Sequence, residues 1–172
     1  LMGFFWGQVR LGARTQSERS WQKASEVALG HSCDEALPYY VSLKHRFKDN
    51  PYFLYNYAAV FTEAKEYEKA LKVALECRKY WADYDLELLL GDIYREKKDY
   101  KQAEEYYMSA SYMCPSRFLP LYQLYELYKC IGNTEKASEL AKILLEKPAK
   151  VNSMLIKRIK YQLKKECELL IL

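Results

Sequence analysis

The sequence predicts an all-α fold, an α-solenoid of about four helical hairpins followed by a capping helix. Apolar residues recur three or four positions apart along most of the chain, which is the spacing of one helical face. Only six glycines and five prolines occur in 172 residues, so long uninterrupted helices are possible. Alanines also recur at a nearly fixed interval, which indicates repeated hairpins rather than one irregular bundle.

The repeating feature is a small residue in each helix of a hairpin. In the second helices it is an alanine, and successive copies lie 34, 33 and 34 residues apart: Ala36, Ala70, Ala103 and Ala137. The matching positions of the first helices are Ala24, Ala58, Gly91 and Tyr125. Small residues let two helices cross closely, so Tyr125 predicts a looser crossing in the last hairpin.

The stretch from Gly91 to Pro115 carries the fullest copy of the pattern and resembles a tetratricopeptide repeat. Its matching residues are Leu90, Gly91, Tyr94, Ala103, Tyr107 and Pro115, and Glu87 stands where that repeat usually has tryptophan. The resemblance implies a right-handed solenoid in which the first helices of successive hairpins line a concave surface.

Eight helices are expected in the repeats, and their expected ranges are 17–30, 33–48, 51–64, 67–80, 84–97, 100–113, 118–131 and 134–147. Pro120 is expected in the first turn of the seventh helix, where a missing N–H does least harm. Pro38 falls within the first turn or two of the second helix, so that helix is expected to begin near Asp34 or Glu35. The turns before the second helices contain Gly30, Lys65, Lys98 and Gly132.

A ninth helix is expected over 152–170. One stripe of it is apolar and most of its basic residues lie off that stripe; the stripe is Leu155, Ile156, Ile159, Leu163, Cys167 and Leu170. This amphipathic helix is expected to cover the last apolar face of the repeats. The alternative is that its basic face meets acidic lipid or nucleic acid. The expected division is a leader at 1–16, repeats at 17–150 and the capping helix at 151–172.

The first six residues, Leu1 to Trp6, are apolar but too few to span a bilayer. They suit the end of a membrane helix that began before Leu1. Arg10, Arg14 and Arg19 then favour the cytoplasmic side. The alternatives are an apolar turn packed on the first repeat, or a disordered end.

Composition and motifs point away from catalysis. The net charge of +4 arises from 27 basic and 23 acidic residues that are interleaved, so no nucleic-acid partner is predicted. The five cysteines have no C-x-x-C spacing, and buried reduced thiols are expected. His31 and His45 do not form a metal pair, and neither a nucleophile motif nor a phosphate-binding loop occurs. We therefore predict no catalytic residues, no metal and no cofactor.

A binding groove is the more plausible site. Positions on the first helices that point away from the second helices should line it. The predicted groove residues are Tyr52, Tyr55, Asn56, Asp92, Arg95, Tyr122, Gln123 and Glu126, with Ala59, Asp85 and Leu89 beside them. Rings mixed with hydrogen-bonding groups suit a peptide or helix ligand. The alternative is that the three tyrosines simply pack between repeats.

Four strings carry a narrower resemblance: NPYFLYNYAAVF, ECRKYWADYDLELLLGDIY, SASYMCPSRFLPLYQLYELYK and KPAKVNSMLIKRIK. They resemble the C-terminal repeat region of O-antigen ligase/polymerase-like membrane proteins of Bacteroidetes. The resemblance implies a membrane-embedded glycosyltransferase upstream and a repeat module on the cytoplasmic side of the inner membrane. It does not name the ligand of the repeats.

Taken together, these patterns predict a non-catalytic protein interaction or scaffolding module, the C-terminal part of such a membrane protein of polysaccharide assembly. The alternatives are a stand-alone adaptor and a self-association domain. The expected partner is a protein or peptide.

Overall fold

The computed structural model describes residues 16–28, 30, 33–148 and 153–169, with side chains described up to residue 166. Nine helices lie within those residues. The first, α1, spans 16–28. The others are α2 (Cys33–Leu43), α3 (Pro51–Glu63), α4 (Tyr67–Arg78), α5 (Tyr84–Glu96), α6 (Tyr100–Met113), α7 (Leu119–Cys130), α8 (Thr134–Glu146) and α9 (Met154–Leu169).

Short polar side chains start several of these helices, because they accept hydrogen bonds from backbone N–H groups that have no partner within the helix. Asn50 accepts from Phe53 N, and Asp99 accepts from Gln102 N. Asp83 and Asn133 do the same at α5 and α8. Pro120 lies in the first turn of α7, as the sequence predicts.

Three hairpins reverse direction through the same turn. Lys65, Lys98 and Gly132 adopt φ values of 59°, 63° and 74°. In each case the next residue donates its N–H to the carbonyl five positions back in the preceding helix, at 2.9 Å. This arrangement uses carbonyls that the helix end leaves without a partner. Two lysines thus take a conformation that normally favours glycine.

The second helix differs from its expected range of 33–48, because α2 ends at Leu43. Residues 44–49 turn away and direct the Phe47 ring towards Trp21 and Phe53, with centroids 5.2 and 5.3 Å apart. Packing of that ring ends the helix early. Pro38 lies inside α2 on its exposed face, where water can solvate the carbonyl that loses its N–H donor.

The chain divides into two compact units, one ending at Trp81 and the other beginning at Ala82. The first contains α1 to α4 and has an aromatic core. Tyr40 stacks on Tyr57 at 5.6 Å and lies 5.4 Å from Phe53, while Tyr57 lies 4.5 Å from Phe61. Rings at these separations add to the stabilisation from burial alone.

The second unit contains α5 to α9, and Gly91 lies where α5 crosses α6. A Cβ at that position would lie 2.4 Å from Cε1 of Tyr107, so only glycine leaves room for the ring. Ala103, one turn before Tyr107, is fully buried at the same crossing. Gly91 and Ala103 therefore have the role that the sequence predicts for small residues at a close crossing.

The last helix, α9, caps the second unit. Ile159 and Leu163 are buried in the same core as Leu127 and Leu144 of α7 and α8. Lys160 donates to the carbonyls of Leu145 and Lys147 at 2.9 and 2.6 Å, at the end of α8. One member of the expected stripe differs, since Leu155 is exposed. It lies at the edge of the stripe, in the first turn of α9. Cys167 and Leu170 lie outside the described side chains.

The predicted thiol state is only partly correct. Cys33, Cys77, Cys114 and Cys130 are free thiols, but only Cys77 is buried. Burial raises the pKa of Cys77 to about 11. The others lie near helix ends, where packing is incomplete. In the portion of the chain described, no helix is long and apolar enough to span a bilayer. Leu1 to Trp6 and His31 lie outside that portion, and the boundaries at 17–150 and 151–172 stay predictions.

Candidate peptide-binding surface

Three residues of the predicted groove come together in the second unit. Asp92 and Arg95 are one turn apart on α5, and Gln123 lies on α7. The Arg95 guanidinium donates from Nη1 to Oε1 of Gln123 at 3.0 Å. Its Nη2 lies 3.7 Å from Oδ1 of Asp92. The side chains of Arg95 and Asp92 retain 27% and 32% of their exposure, so they are half-buried and still accessible.

A fourth residue, Tyr107 of α6, supports this group from beneath. Its ring is fully buried, and its hydroxyl donates to Oδ1 of Asp92 at 2.6 Å. Burial first, and then the Asp92 charge, raise the pKa of Tyr107, so the hydroxyl stays protonated and acts as a donor. We call Asp92, Arg95, Tyr107 and Gln123 the Arg95 cluster. It joins three helices through charge-assisted hydrogen bonds, which are stronger than neutral ones.

The sequence identified Tyr107 as a residue of the repeat pattern but did not identify its hydroxyl contact. The signal was nevertheless present. The same relation occurs in the first hairpin, where the Tyr40 hydroxyl lies 3.2 Å from Ser25 Oγ. Ser25 follows the small residue Ala24 just as Asp92 follows Gly91. In both hairpins, the tyrosine four residues after the second-helix alanine therefore reaches the residue that follows the small residue of the first helix.

Two further predicted residues lie farther along α7. Burial, and then the Glu126 carboxylate one turn later, raise the pKa of Tyr122. Its ring stacks between Phe118 and Tyr125, with centroids 6.5 and 6.1 Å away. Tyr122 thus packs on rings of its own helix and N-cap, and its place in the groove stays a prediction.

The groove residues predicted in the first unit fall into two groups. Tyr52 and Tyr55 both contact the Trp81 ring, at 5.3 and 5.8 Å between centroids. Tyr52 nevertheless keeps 62% of its surface exposed. Sequence reasoning did not place Trp81 beside them, because it follows α4 rather than lying on a first helix.

Asn56 and Ala59 lie apart from those rings. They line a cavity of about 280 Å³ together with Ser25, Tyr40 and Glu63. The predicted residues of the first unit therefore form an aromatic group and line this cavity, while three of those in the second unit belong to the Arg95 cluster.

Two carboxylates lie beside the Arg95 guanidinium: Asp92 Oδ1 is 3.7 Å and Glu96 Oε1 is 3.6 Å from its Nη2. Asp85 lies at the other end of the same helix, in its first turn. Burial and then the nearby Asp83 raise the pKa of Asp85, while Arg117 opposes them. No group of three potential metal ligands converges within the described part of the chain. The surface suits hydrogen bonding and a neutral or basic ligand.

Comparison with solved structures establishes the fold. A MamA structure covering residues 41 to the end, from Desulfovibrio magneticus RS-1, aligns with a TM-score of 0.66 and 20% identity over 73% of this chain and 72% of that one. A MamA RS-1 double mutant aligns at 0.65 and 19% over 73% and 71%. Naa15/Naa10 bound to HypK-THB aligns at 0.59 and 14% over 89% of this chain and 24% of that one.

These neighbours are tetratricopeptide-type helical-repeat proteins. At such identities the likeness shows the fold alone, and it confirms the all-α helical-repeat class predicted from the sequence. No known family profile and no curated protein sequence matches the chain.

Proposed function

We propose that this chain is a non-catalytic protein-interaction module that binds a peptide or helix of a protein partner on the α5–α7 surface. The Arg95 cluster is the observation that carries the proposal. Its groups are held by hydrogen bonds from three helices, yet Arg95 and Asp92 remain accessible. Groups held in this way lose little conformational freedom when a ligand binds.

The cluster offers both kinds of hydrogen-bonding group. Arg95 donates and Asp92 accepts, so a peptide backbone, which presents one donor and one acceptor per residue, can be met on both sides. The surrounding carboxylates favour a basic side chain on the ligand over an acidic one. The helical-repeat neighbours add general support, since one of those solved structures is a complex with a bound protein.

The test is partner recovery with the whole chain and with Arg95→Ala and Gln123→Ala variants. We expect each variant to recover at least about fivefold less partner, because a lost hydrogen bond to a charged group costs about 1.5–3 kcal/mol. Lys101→Ala, an exposed change on α6, is the matched control. Recovery that is equal for Arg95→Ala and the control, at equal melting temperature, would rule out this site.

The exposed Tyr52 supports a second contact surface in the first unit. Because its ring is largely in solvent, Tyr52→Ala should leave folding intact while removing an aromatic contact. If Tyr52→Ala reduces recovery and Arg95→Ala does not, the ligand binds the aromatic surface instead. Recovery of the chain itself, with a doubled mass in solution, would indicate self-association.

We also propose that the chain is the C-terminal module of an O-antigen ligase-like membrane protein, on the cytoplasmic side of the inner membrane. The four strings of the narrower resemblance support this. The decisive observation is the coding sequence upstream of Leu1. A run of membrane helices there would support the proposal, and a start codon directly before Leu1 would exclude it in favour of a stand-alone adaptor.

A further inference from the structure

We propose that the outer face of α9 binds the surface of an anionic lipid bilayer. This face consists of six residues that point away from the core: Met154, Lys157, Arg158, Tyr161, Lys164 and Lys165. All six are exposed. Tyr161 lies at its centre, with a basic residue three and four positions away on both sides. On a helix those positions are its immediate neighbours.

The opposite side of α9 is already occupied by the protein. Ile159 and Leu163 are 4% and 2% exposed in the core. Lys160 is held by the end of α8. Glu166 bonds to the Tyr125 hydroxyl and lies 3.0 Å from Nζ of Lys129. Its carboxylate is therefore neutralised by contacts on α7, and the outer face keeps its positive charge.

The apolar residues on this face distinguish it from an ordinary solvated surface. Met154 is 78% exposed and Tyr161 is 71% exposed. Both lie in one line with Arg158 and Lys165, and the line extends about 17 Å along the helix at 1.5 Å per residue. A straight row that mixes cations with an aromatic ring fits a planar charged interface, where rings lie at headgroup depth.

The charged face of α8 lacks this combination. There, Glu135, Glu139 and Glu146 alternate with Lys136 and Lys142. Within α9, by contrast, there are five basic residues and two acidic ones, Glu166 and Glu168. Anionic headgroups attract each basic side chain near the surface, and the attraction is screened within a Debye length. A nucleic acid would also meet the cations, but the exposed methionine favours lipid.

Vesicle sedimentation with the full chain tests the proposal. We expect binding to phosphatidylcholine vesicles that contain about one-third phosphatidylglycerol, no binding to phosphatidylcholine alone, and release by added salt. A triple variant, Lys157→Gln, Arg158→Gln and Lys165→Gln, should weaken binding roughly 100-fold, at about fivefold per charge. A control triple variant changes three exposed lysines elsewhere: Lys48→Gln, Lys72→Gln and Lys101→Gln.

The control should lose less than about threefold, because it has the same net charge but an intact α9 face. Tyr161→Ala should also weaken binding to the anionic vesicles, by a few-fold. The melting temperature should not change, because the Tyr161 ring is exposed. Three outcomes would overturn the proposal: equal losses in the two triple variants, equal binding to neutral vesicles, or displacement from vesicles by a short single-stranded RNA at a lower concentration than by soluble anions.

Discussion

The hairpins α5–α6 and α7–α8 carry the small and the large residue of the helix crossing on opposite helices. In α5–α6 the small residue, Gly91, is on the first helix and the large one, Tyr107, is on the second. In α7–α8 the positions 34 residues later are Tyr125 and Ala141, so the order is reversed. Both of these are buried. The sequence predicts a looser crossing for α7–α8 because its first helix carries Tyr125. In the structure, the second helix of this hairpin carries the small residue, Ala141, where α6 carries Tyr107.

The two tyrosine hydroxyls show the consequence. Tyr107 bonds to Asp92 within its own hairpin. Tyr125, on the opposite helix, bonds to Glu166 of α9. The hairpin α5–α6 therefore contains the hydrogen-bond partner of its buried tyrosine. In α7–α8 that partner lies on α9, the helix that follows. Reversing which helix carries the large residue makes the last hairpin depend on its cap.

The largest expected effect is from removing α9. A chain that ends after Val151 should lose roughly 3–6 kcal/mol of unfolding free energy, at about 1.5–3 kcal/mol for each of Ile159 and Leu163. Amide exchange should accelerate more in α7–α8 than in α5–α6. Urea unfolding and hydrogen exchange measure both effects. Leu163→Ala should cost about 2–5 kcal/mol, and the exposed Leu155→Ala less than about 0.5 kcal/mol. A truncated chain as stable as the parent would show that α9 is not a cap.

The next effect is expected at the Gly91 crossing. Gly91→Ala should destabilise the protein by about 1–3 kcal/mol through overpacking against Tyr107. In a chain that already carries Tyr107→Ala, adding Gly91→Ala should cost little or nothing. The hairpin α3–α4 has alanines at both of the matching positions, Ala58 and Ala74. Thermal melts of the two single variants and the double variant give the coupling. Additive losses would mean that the ring and the glycine do not limit each other.

A smaller effect is expected from the turns of the two hairpins, where Lys98 and Gly132 occupy the same position. Both have positive φ, but only glycine adopts it without a steric cost. Lys98→Gly should stabilise α5–α6 by about 0.5–1 kcal/mol, and Gly132→Ala should destabilise α7–α8 by about 1 kcal/mol. Melting temperatures should move in opposite directions. Movement in the same direction would contradict the shared turn geometry.

The smallest effect is a pH dependence of the cap. The Tyr125 hydroxyl bond, and then Lys129, hold the pKa of Glu166 below its usual value. A carboxyl with a depressed folded-state pKa stabilises the fold above its unfolded pKa, and this stabilisation is lost as pH falls through the folded value. Because the side chain is 45% exposed, solvent screening limits the effect to under about 1 kcal/mol.

The measurement is the stability of the chain between neutral pH and about pH 3, below the usual glutamate pKa. Glu166→Gln should be less stable at neutral pH and should lose less stability on acidification than the parent. Glu139→Gln, on the exposed face of α8, is the control and should follow the parent curve. Identical curves for all three chains would mean that Glu166 does not hold the cap.

Part of the proposed binding surface could be predicted because first-helix positions recur with the period of the repeat. Asp92, Arg95 and Gln123 were identified in this way and do lie together. The period gives the direction in which a side chain points but not the ring that fills the space beside it. It therefore did not show that Tyr122 stacks between two rings, and it could not join Trp81 to Tyr52.

The sequence by itself determined the helices, their order and the residues at each crossing, because helical periodicity and the interval of about 34 residues are local properties of the chain. Only the tertiary structure decided where hydroxyl and carboxylate groups meet. Glu87 illustrates this: it stands at a position that the repeat pattern gives to tryptophan, and it is fully buried and engaged in an interaction. Its burial depends on surrounding helices that no local pattern specifies.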